Sequence, residues 1–211
     1  SILSKRIISW ILNSDIILNN GLFDFKRKFL TSIISQTNHL KKNIKFEKNY
    51  SKRIEILTAL LLTGLVFKEY SDNYNIAIKE IEKLVKRFFD QDGFPLTRNP
   101  SDLIFFSKHL LLCRECIKDA HQYVPEFLDI IINQNLICIK NISTPNDQSP
   151  LFNGGVEEDL KQFDKSISEL NSKEKNKKNI LGGIQKIKFK NNYIFFDVGE
   201  PPSKSFSKSY Q

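Results

Sequence analysis

Apolar residues recur three and four positions apart along most of the first 135 residues, and this spacing predicts helices with one buried side. The predicted helices are a short one around Ile7 to Ile11, followed by helices from about Phe23 to Ile44, Ser51 to Tyr70, Tyr74 to Phe88, Pro100 to Ile117 and Pro125 to Lys140. Short polar turns separate them, which favours stacked antiparallel helix hairpins. A helical bundle and a helical toroid both satisfy this pattern.

Two of these helices carry especially clear signals. The nearly uninterrupted apolar run from Ile54 to Val66 predicts the most buried helix, in which Ala59 and Gly64 leave room for a close neighbour. Further along the chain, Asn99 can cap a helix whose first position holds Pro100, where the fixed φ of proline is well suited.

The sequence changes character after Asn141. The loop "NISTPNDQSPLFNGG" precedes a helical segment around Leu160 to Leu170 and the charged linker "NSKEKNKKN". From Gly183 apolar and polar residues alternate around a turn at Asn191 and Asn192, which predicts a β-hairpin. Because a lone hairpin is marginal in water, further strands are expected beyond Gln211. The predicted fold class is mainly α with a C-terminal β segment, divided into a helical part (1–140), a loop, helix and linker (141–180), and the hairpin part (181–211).

Composition narrows the class of protein. The 211 residues are 40% hydrophobic and 27% charged, which is typical of a globular domain, and no apolar run is long enough to span a membrane. The formal charge of +8 favours polyanionic partners. The chain contains no Met and opens at Ser1 within a helical pattern, which indicates an internal fragment of a longer protein. Cys113 and Cys116 form a CxxC pair inside a helical stripe without a second pair, so reduced core cysteines are favoured over a metal or redox site.

The familiar short catalytic and cofactor motifs GxSxG, GK[ST], GxGxxG and HExxH are absent from the sequence. His39 follows Asn38 beside the apolar stripe of the second helix, so an amide and an imidazole lie together at a helix edge where a cleft could form. Several basic residues follow, and they form either a solvated face or a nucleic-acid surface, although no interleaved aromatic residues accompany them. They are Lys41, Lys42, Lys45, Lys48, Lys52 and Arg53.

Several segments of the sequence, in their order and spacing, resemble the bacterial heparinase II/III family. These segments are "RIISWI" at Arg6 to Ile11, "FLTSIISQTNHLKK" at Phe29 to Lys42, "DGFPLTRNP" at Asp92 to Pro100, "LFNGG" at Leu151 to Gly155, and "GGIQKIKFKNNYIFFDVGEPP" from Gly182. The resemblance implies an incomplete α/α toroid followed by a β-sandwich, of which residues 181–211 would form the first hairpin.

The resemblance also implies a lyase that cleaves acidic polysaccharide by β-elimination at a uronic acid. This chemistry needs a group that neutralises the uronate carboxylate, a base and an acid. His39 and Tyr50 are the candidate catalytic residues, and Asn38, Arg98 and Asn99 are the candidate substrate-binding residues. The partner expected is an acidic polysaccharide such as a glycosaminoglycan, and no cofactor, metal or nucleic acid is expected. The family implies a location in the bacterial cell envelope or periplasm, with the cytoplasm left open. It also implies that the full-length parent protein is an active lyase and that this fragment alone is not.

The chain also departs from the family. Phe94 and Pro95 stand where many relatives carry a Gly-His pair, and Ile184 stands where relatives often have Tyr. These departures favour an alternative, a non-catalytic glycan-binding or envelope-assembly protein on the same fold. A third interpretation is a helical scaffold that binds nucleic acid through its basic face. Three of these residues also have a purely structural interpretation. Asn99 could serve only as a helix cap, Arg98 only as the solvated neighbour of that cap, and Asn153 only as a turn residue.

Overall fold

A computed structural model of the protein describes residues 1–19, 21–170, 180–190, 192–201 and 206. The predicted linker at 171–179 lies outside these residues, as does Asn191. The helices are α1 Ile2–Leu12, α2 Ser14–Leu18, α3 Phe23–Asn43, α4 Tyr50–Val66, α5 Asp72–Phe88, α6 Pro100–Asp119, α7 Glu126–Ile142 and α8 Asp164–Ser168, with 3₁₀ turns at Ile44–Phe46, Lys68–Tyr70 and Lys161–Phe163. The strands β1 Ile180–Leu181, β2 Ile184–Phe189 and β3 Asn192–Asp197 form an antiparallel sheet in that order. The described part of the chain is therefore mainly helical with a small C-terminal sheet.

The helices predicted from periodicity are present, and the differences lie at their ends. The third predicted helix stops at Val66 because Phe67 is extended, with φ −108° and ψ 108°, and a 3₁₀ turn replaces the expected last helical turn. The five-residue α2 was not predicted, since it is too short for an apolar period to appear. The helical segment around Leu160 is a 3₁₀ turn followed by the short α8.

The hairpin is confirmed, with one correction and one addition. Asn192 pairs with Phe189 and so belongs to β3 instead of the turn, while Lys190 takes the left-handed conformation with φ 52°. The two-residue β1 pairs with β2, so the hairpin already has a neighbour on one edge. The register places Asp197, the last residue of β3, opposite Ile184.

The described residues divide into two compact units, Ser1–Leu84 with Leu111–Val124 and Val85–Leu110 with Pro125–Gln211. In the first unit α1, α3 and α4 pack against one another. Every residue of α4 from Ile54 to Gly64 is buried, as its apolar run predicted. Gly64 does provide the close approach expected of it, because a Cβ added there would lie 2.8 Å from the Cβ of Tyr74.

The second unit has an aromatic core. The ring of Phe88 stacks on that of Phe106 with centroids 4.1 Å apart, and Phe89 meets Phe106 edge-on at 5.6 Å. Helix α7 packs against β2 in the same unit. Buried Asn135 donates to the Ser107 hydroxyl at 3.2 Å, whereas its own Oδ1 has no hydrogen-bond partner among the described residues.

The three cysteines are free. Of the CxxC pair, Cys113 is a core residue, as predicted, whereas Cys116 is only half-buried; Cys138 is buried as well. Cys113 is buried, and its Sγ donates to Thr58 Oγ1 at 3.6 Å. Burial raises the pKa of the Cys113 thiol to about 12 and also raises that of buried Cys138. Both thiols are therefore protonated near neutral pH. Among the described helices, none combines the length and apolar character that crossing a bilayer requires.

We expect Gly64→Ala to lower the free energy of unfolding by about 1–3 kcal/mol, because the new methyl group overlaps the Tyr74 backbone in a fully packed region. Ser9→Ala, a small change at an exposed position of α1, serves as the control and should stay within about 0.5 kcal/mol of the parent. Urea unfolding followed by circular dichroism measures both. Equal stability of Gly64→Ala and the parent would contradict the tight packing of α4.

Candidate functional site

The segment between α5 and α6 turns sharply and buries an arginine. Asp90 Oδ1 accepts hydrogen bonds from the backbone amides of Asp92 and Phe94, both at 2.9 Å, and Gly93 between them has φ 84°. A few residues later Arg98 adopts φ 61°, which a non-glycine residue rarely does. Its side chain turns inward and is only 8% exposed.

The Arg98 guanidinium is matched on several sides. One terminal nitrogen donates to the Gly182 carbonyl and the other to Asp197 Oδ1 in an ion pair. The guanidinium carbon lies 5.2 Å from the ring centroid of Phe94, within the range of a cation–π contact. A buried guanidinium is tolerated only when charge and hydrogen bonds compensate its lost hydration. The contacts of the two terminal nitrogens supply most of that compensation, while buried Nε has no hydrogen-bond partner among the described residues.

Asn153 joins a third segment to the same pair. Its side-chain amide donates to the Arg98 carbonyl at 2.9 Å and to Asp197 Oδ2 at 2.8 Å. Asn153 also has a left-handed backbone, with φ 48°, which asparagine tolerates better than most residues. We call Arg98, Asp197, Asn153 and the Gly182 carbonyl the Arg98 cluster.

Two glycines make room for the guanidinium. A Cβ added at Gly183 would lie 2.7 Å from Arg98 Nη2, and one added at Gly199 would lie 2.8 Å from Nη1. Both distances are shorter than side-chain atoms accept, so the glycines on either side of the hairpin are required by the arginine that packs between them.

The electrostatics of Asp197 follow from these contacts. Burial alone would disfavour the carboxylate, but hydrogen bonds from Arg98 and Asn153 and the nearby guanidinium charge outweigh it. The pKa of Asp197 is therefore lowered below its ordinary value. The carboxylate stays ionised at neutral pH, and the ion pair is present throughout the physiological range.

A cleft of about 510 Å³ lies beside the Arg98 cluster. Its lining residues are Asp90, Gln91, Asp92, Pro95, Leu96, Arg98, Gly183, Gly199, Glu200 and Pro201. The lining includes the carboxyl groups of Asp90, Asp92 and Glu200 and one guanidinium, that of Arg98, which is already paired with Asp197. Burial raises the pKa of Asp90. The charge of this cleft disfavours a uronate. Within the described part of the chain, no group of His, Cys, Asp or Glu side chains is arranged to hold a metal ion.

Three of the candidate site residues lie in the first unit. Asn38 is half-buried on α3, and the adjacent His39 is exposed. The backbone carbonyl of His39 accepts from the Asn43 side chain at 2.8 Å. Tyr50 is the first residue of α4, directly after Asn49, whose side chain accepts from the Lys52 amide and caps the helix.

The other two candidates lie in the second unit. Asn99 Oδ1 accepts from the Ser101 amide at 2.8 Å, so Asn99 caps α6, as its structural alternative proposed. The matching alternative for Arg98, a solvated neighbour of that cap, is wrong because the side chain is buried and paired. Asn153 does more than form a turn. Asp197 was not singled out from the sequence, although it lies in the resembling segment that begins at Gly182.

Fold and site together define a mainly helical protein whose small sheet is joined to the loop before α6 by a buried ion pair. Comparisons of the chain with models of known protein families, with curated proteins and with solved structures find no match.

Asp197→Asn should lower the free energy of unfolding at pH 7 by about 1–2 kcal/mol, because it removes the charge that matches a buried guanidinium. The pKa of Asp197 is lower in the folded state than in the unfolded state. The ion pair therefore contributes its full stabilisation above the unfolded-state pKa of about 4, and this stabilisation is lost as the pH falls through the folded-state pKa. The variant should therefore lose less stability than the parent on acidification. Urea unfolding at a series of pH values measures this difference.

The control is Glu157→Gln, which removes an exposed carboxylate from the same unit and should leave stability at pH 7 within about 0.5 kcal/mol of the parent. An Asp197→Asn protein with the parent's acid dependence would refute the role given to the ion pair.

Proposed function

We propose that the chain is part of a heparinase II/III-like protein that acts on acidic, uronic-acid-containing polysaccharide by β-elimination. In this proposal the helices contribute to an incomplete α/α toroid, and the hairpin opens a β-sandwich. The observation that supports it most directly is the convergence of three of the resembling segments on the Arg98 cluster.

The convergence has weight because the three segments are far apart in sequence. "DGFPLTRNP" supplies Arg98, "LFNGG" supplies Asn153, and "GGIQKIKFKNNYIFFDVGEPP" supplies Gly182 and Asp197. Arg98 and Asp197 are 99 residues apart. If these segments resemble one family because they preserve a shared contact, they are expected to lie together in the fold. The three segments do lie together at the Arg98 cluster.

The charge of the chain also supports an acidic substrate. The formal charge is +8, and the segment 41–53 holds six lysines and arginines but one carboxylate, Glu47. Arg53 is paired with Glu80 at 2.6 Å, so among the described residues the lysines provide the unpaired charge of this segment. Glu47 accepts from the Asn49 amide at 2.9 Å. A polyanionic glycan is attracted to such a surface, and that attraction weakens as salt screens it.

In the proposed reaction, a base removes the C5 proton of the uronate, the resulting enolate-like anion expels the C4 oxygen, and an acid protonates the leaving oxygen. His39 and Tyr50 are our candidates for these proton transfers, and Asn38 is a candidate for the uronate carboxylate. We give Arg98 and Asn99 positioning roles, because one is held in an ion pair and the other caps α6.

A second candidate function, non-catalytic glycan binding on the same fold, is favoured by one observation. Phe94 and Pro95, which replace the Gly-His pair of many relatives, are both buried, and Phe94 packs as an apolar residue with no exposed surface. Neither side chain can transfer a proton, so a protein that binds the glycan without cleaving it fits these positions.

The proposal predicts that heparan, chondroitin or alginate polysaccharide will yield an unsaturated uronate product, detected by its ultraviolet absorbance. The assay uses the intact polypeptide as its organism produces it, from which product is expected, and beside it this 211-residue chain, which is expected to bind the glycan without forming product. His39→Ala should abolish the product while retaining the fold, as judged by circular dichroism.

Lys165→Ala, at an exposed position of α8, is the matched control and should retain the parent rate. If the intact polypeptide and the 211-residue chain both bind a glycan and neither forms product, the non-catalytic function is favoured over the lyase. Absence of both product and binding would refute the proposed function.

A further inference from the structure

Helix α3 has two contrasting sides. One side is buried through Phe29, Ile33, Thr37 and Leu40. The opposite side, at helical spacing, presents polar residues that are exposed except for half-buried Asn38. Helix α3 continues into the 3₁₀ turn Ile44–Phe46, so this side extends to Lys45. We call it the α3 polar face, and it comprises Arg27, Lys28, Thr31, Ser35, Asn38, Lys42 and Lys45.

From Arg27 onward the charges on the α3 polar face are all positive, and the carboxylate at the same helical spacing, Asp24, lies one turn before it. Between Arg27 and Lys45 the sequence contains no Asp or Glu. Arg27 is within 3.4 Å of Asp24 one turn earlier, but both side chains are more than two-thirds exposed, so this pair is weak and open to competition. Cations therefore lie at both ends of the face, with hydroxyl and amide groups between them.

A shallow groove of about 490 Å³ follows the first half of this face. Its lining residues are Arg27, Lys28, Thr31, Ser32, Ser35 and Gln36. The Gln36 side chain is fixed by a hydrogen bond that it donates to Ser32 Oγ and by one that it accepts from Arg6 Nε, both at 2.8 Å. The groove is thus lined by cations and hydroxyl groups, which suit anionic and hydroxyl groups of a ligand.

The length of the face favours a polymer. At 1.5 Å per residue, the distance from Arg27 to Lys45 is about 27 Å, which is longer than a single sugar or phosphate group. The one aromatic residue between Arg27 and Lys45, Phe29, is buried, and the exposed rings of Phe25 and Phe46 lie just beyond the two ends of the face. Stacking of successive bases needs aromatic rings along the binding surface, so a polysaccharide fits this polar stretch better than a single-stranded nucleic acid.

We propose that the α3 polar face is the surface that binds the acidic polysaccharide, with cations at its ends pairing with carboxylate or sulfate groups and with Thr31, Ser35 and Asn38 contacting hydroxyl groups between them. This inference rests on the proposed function, since it names the surface through which that polysaccharide is held.

The test measures the dissociation constants of labelled heparan and alginate oligosaccharides by fluorescence anisotropy, at low and at physiological salt. The variant K28Q/K42Q/K45Q should raise the dissociation constant about tenfold, since three exposed charge contacts are lost. The matched control K140Q/K161Q/K165Q removes the same charge from exposed positions of the other unit and should change it less than about twofold.

A second variant, S35A/N38A, keeps every charge and tests the uncharged contacts. It should raise the dissociation constant about threefold, whereas a purely electrostatic surface would not respond to it. Thermal unfolding of each variant identifies any loss of folded protein, and the measurement is then restricted to temperatures at which the variant remains folded.

The outcomes separate this inference from the proposed function. If both triple variants lose glycan affinity equally, or if neither loses any, the α3 polar face is not the binding surface, although the protein still binds glycan. Failure of the parent protein to bind any acidic polysaccharide would remove the proposed function as well. Binding of duplex DNA more tightly than either glycan at matched salt would overturn the assignment in favour of nucleic acid.

Discussion

The buried ion pair between Arg98 and Asp197 is the interaction on which the second unit depends most. A guanidinium with little access to water must find charge and acceptors within the protein, and here they come from three segments that are distant in sequence. The pair therefore fixes the loop before α6, the end of β3 and the loop that carries Asn153 in a single arrangement. Removing any one partner leaves the others incompletely matched.

This arrangement explains backbone features that would otherwise look unrelated. Arg98 and Asn153 both adopt positive φ, and each such residue costs on the order of 1 kcal/mol or more. Their strain is offset by the contacts made in these conformations, in which the Arg98 guanidinium and the Asn153 side-chain amide donate to the same carboxylate. Gly183 and Gly199 are required for a related reason, since any larger residue would occupy the space of the guanidinium.

The sequence predicts those features that have a local period. The buried run of α4, the start of α6 at Pro100 and the alternation of the hairpin all arise from residues close in the chain. Helix α2 and strand β1 are too short to show a period, so they were missed. The Arg98–Asp197 pair could not be predicted in this way, because no local rule joins residues 99 positions apart; the glycines around the hairpin were the only local sign of it.

The candidate site residues fall into two groups that differ in what their surroundings allow. Arg98 and Asn99 are committed to the ion pair and the helix cap, beside a cleft whose carboxyl groups disfavour a uronate. Asn38 and His39 lie on α3, where lysines and hydroxyl groups favour one. Because affinity there would come from residues spread along a helix face, it does not depend on His39 transferring a proton. Within the proposed function, binding and elimination are therefore separable, because a variant that cannot transfer the proton would keep the cations and hydroxyl groups of the helix face.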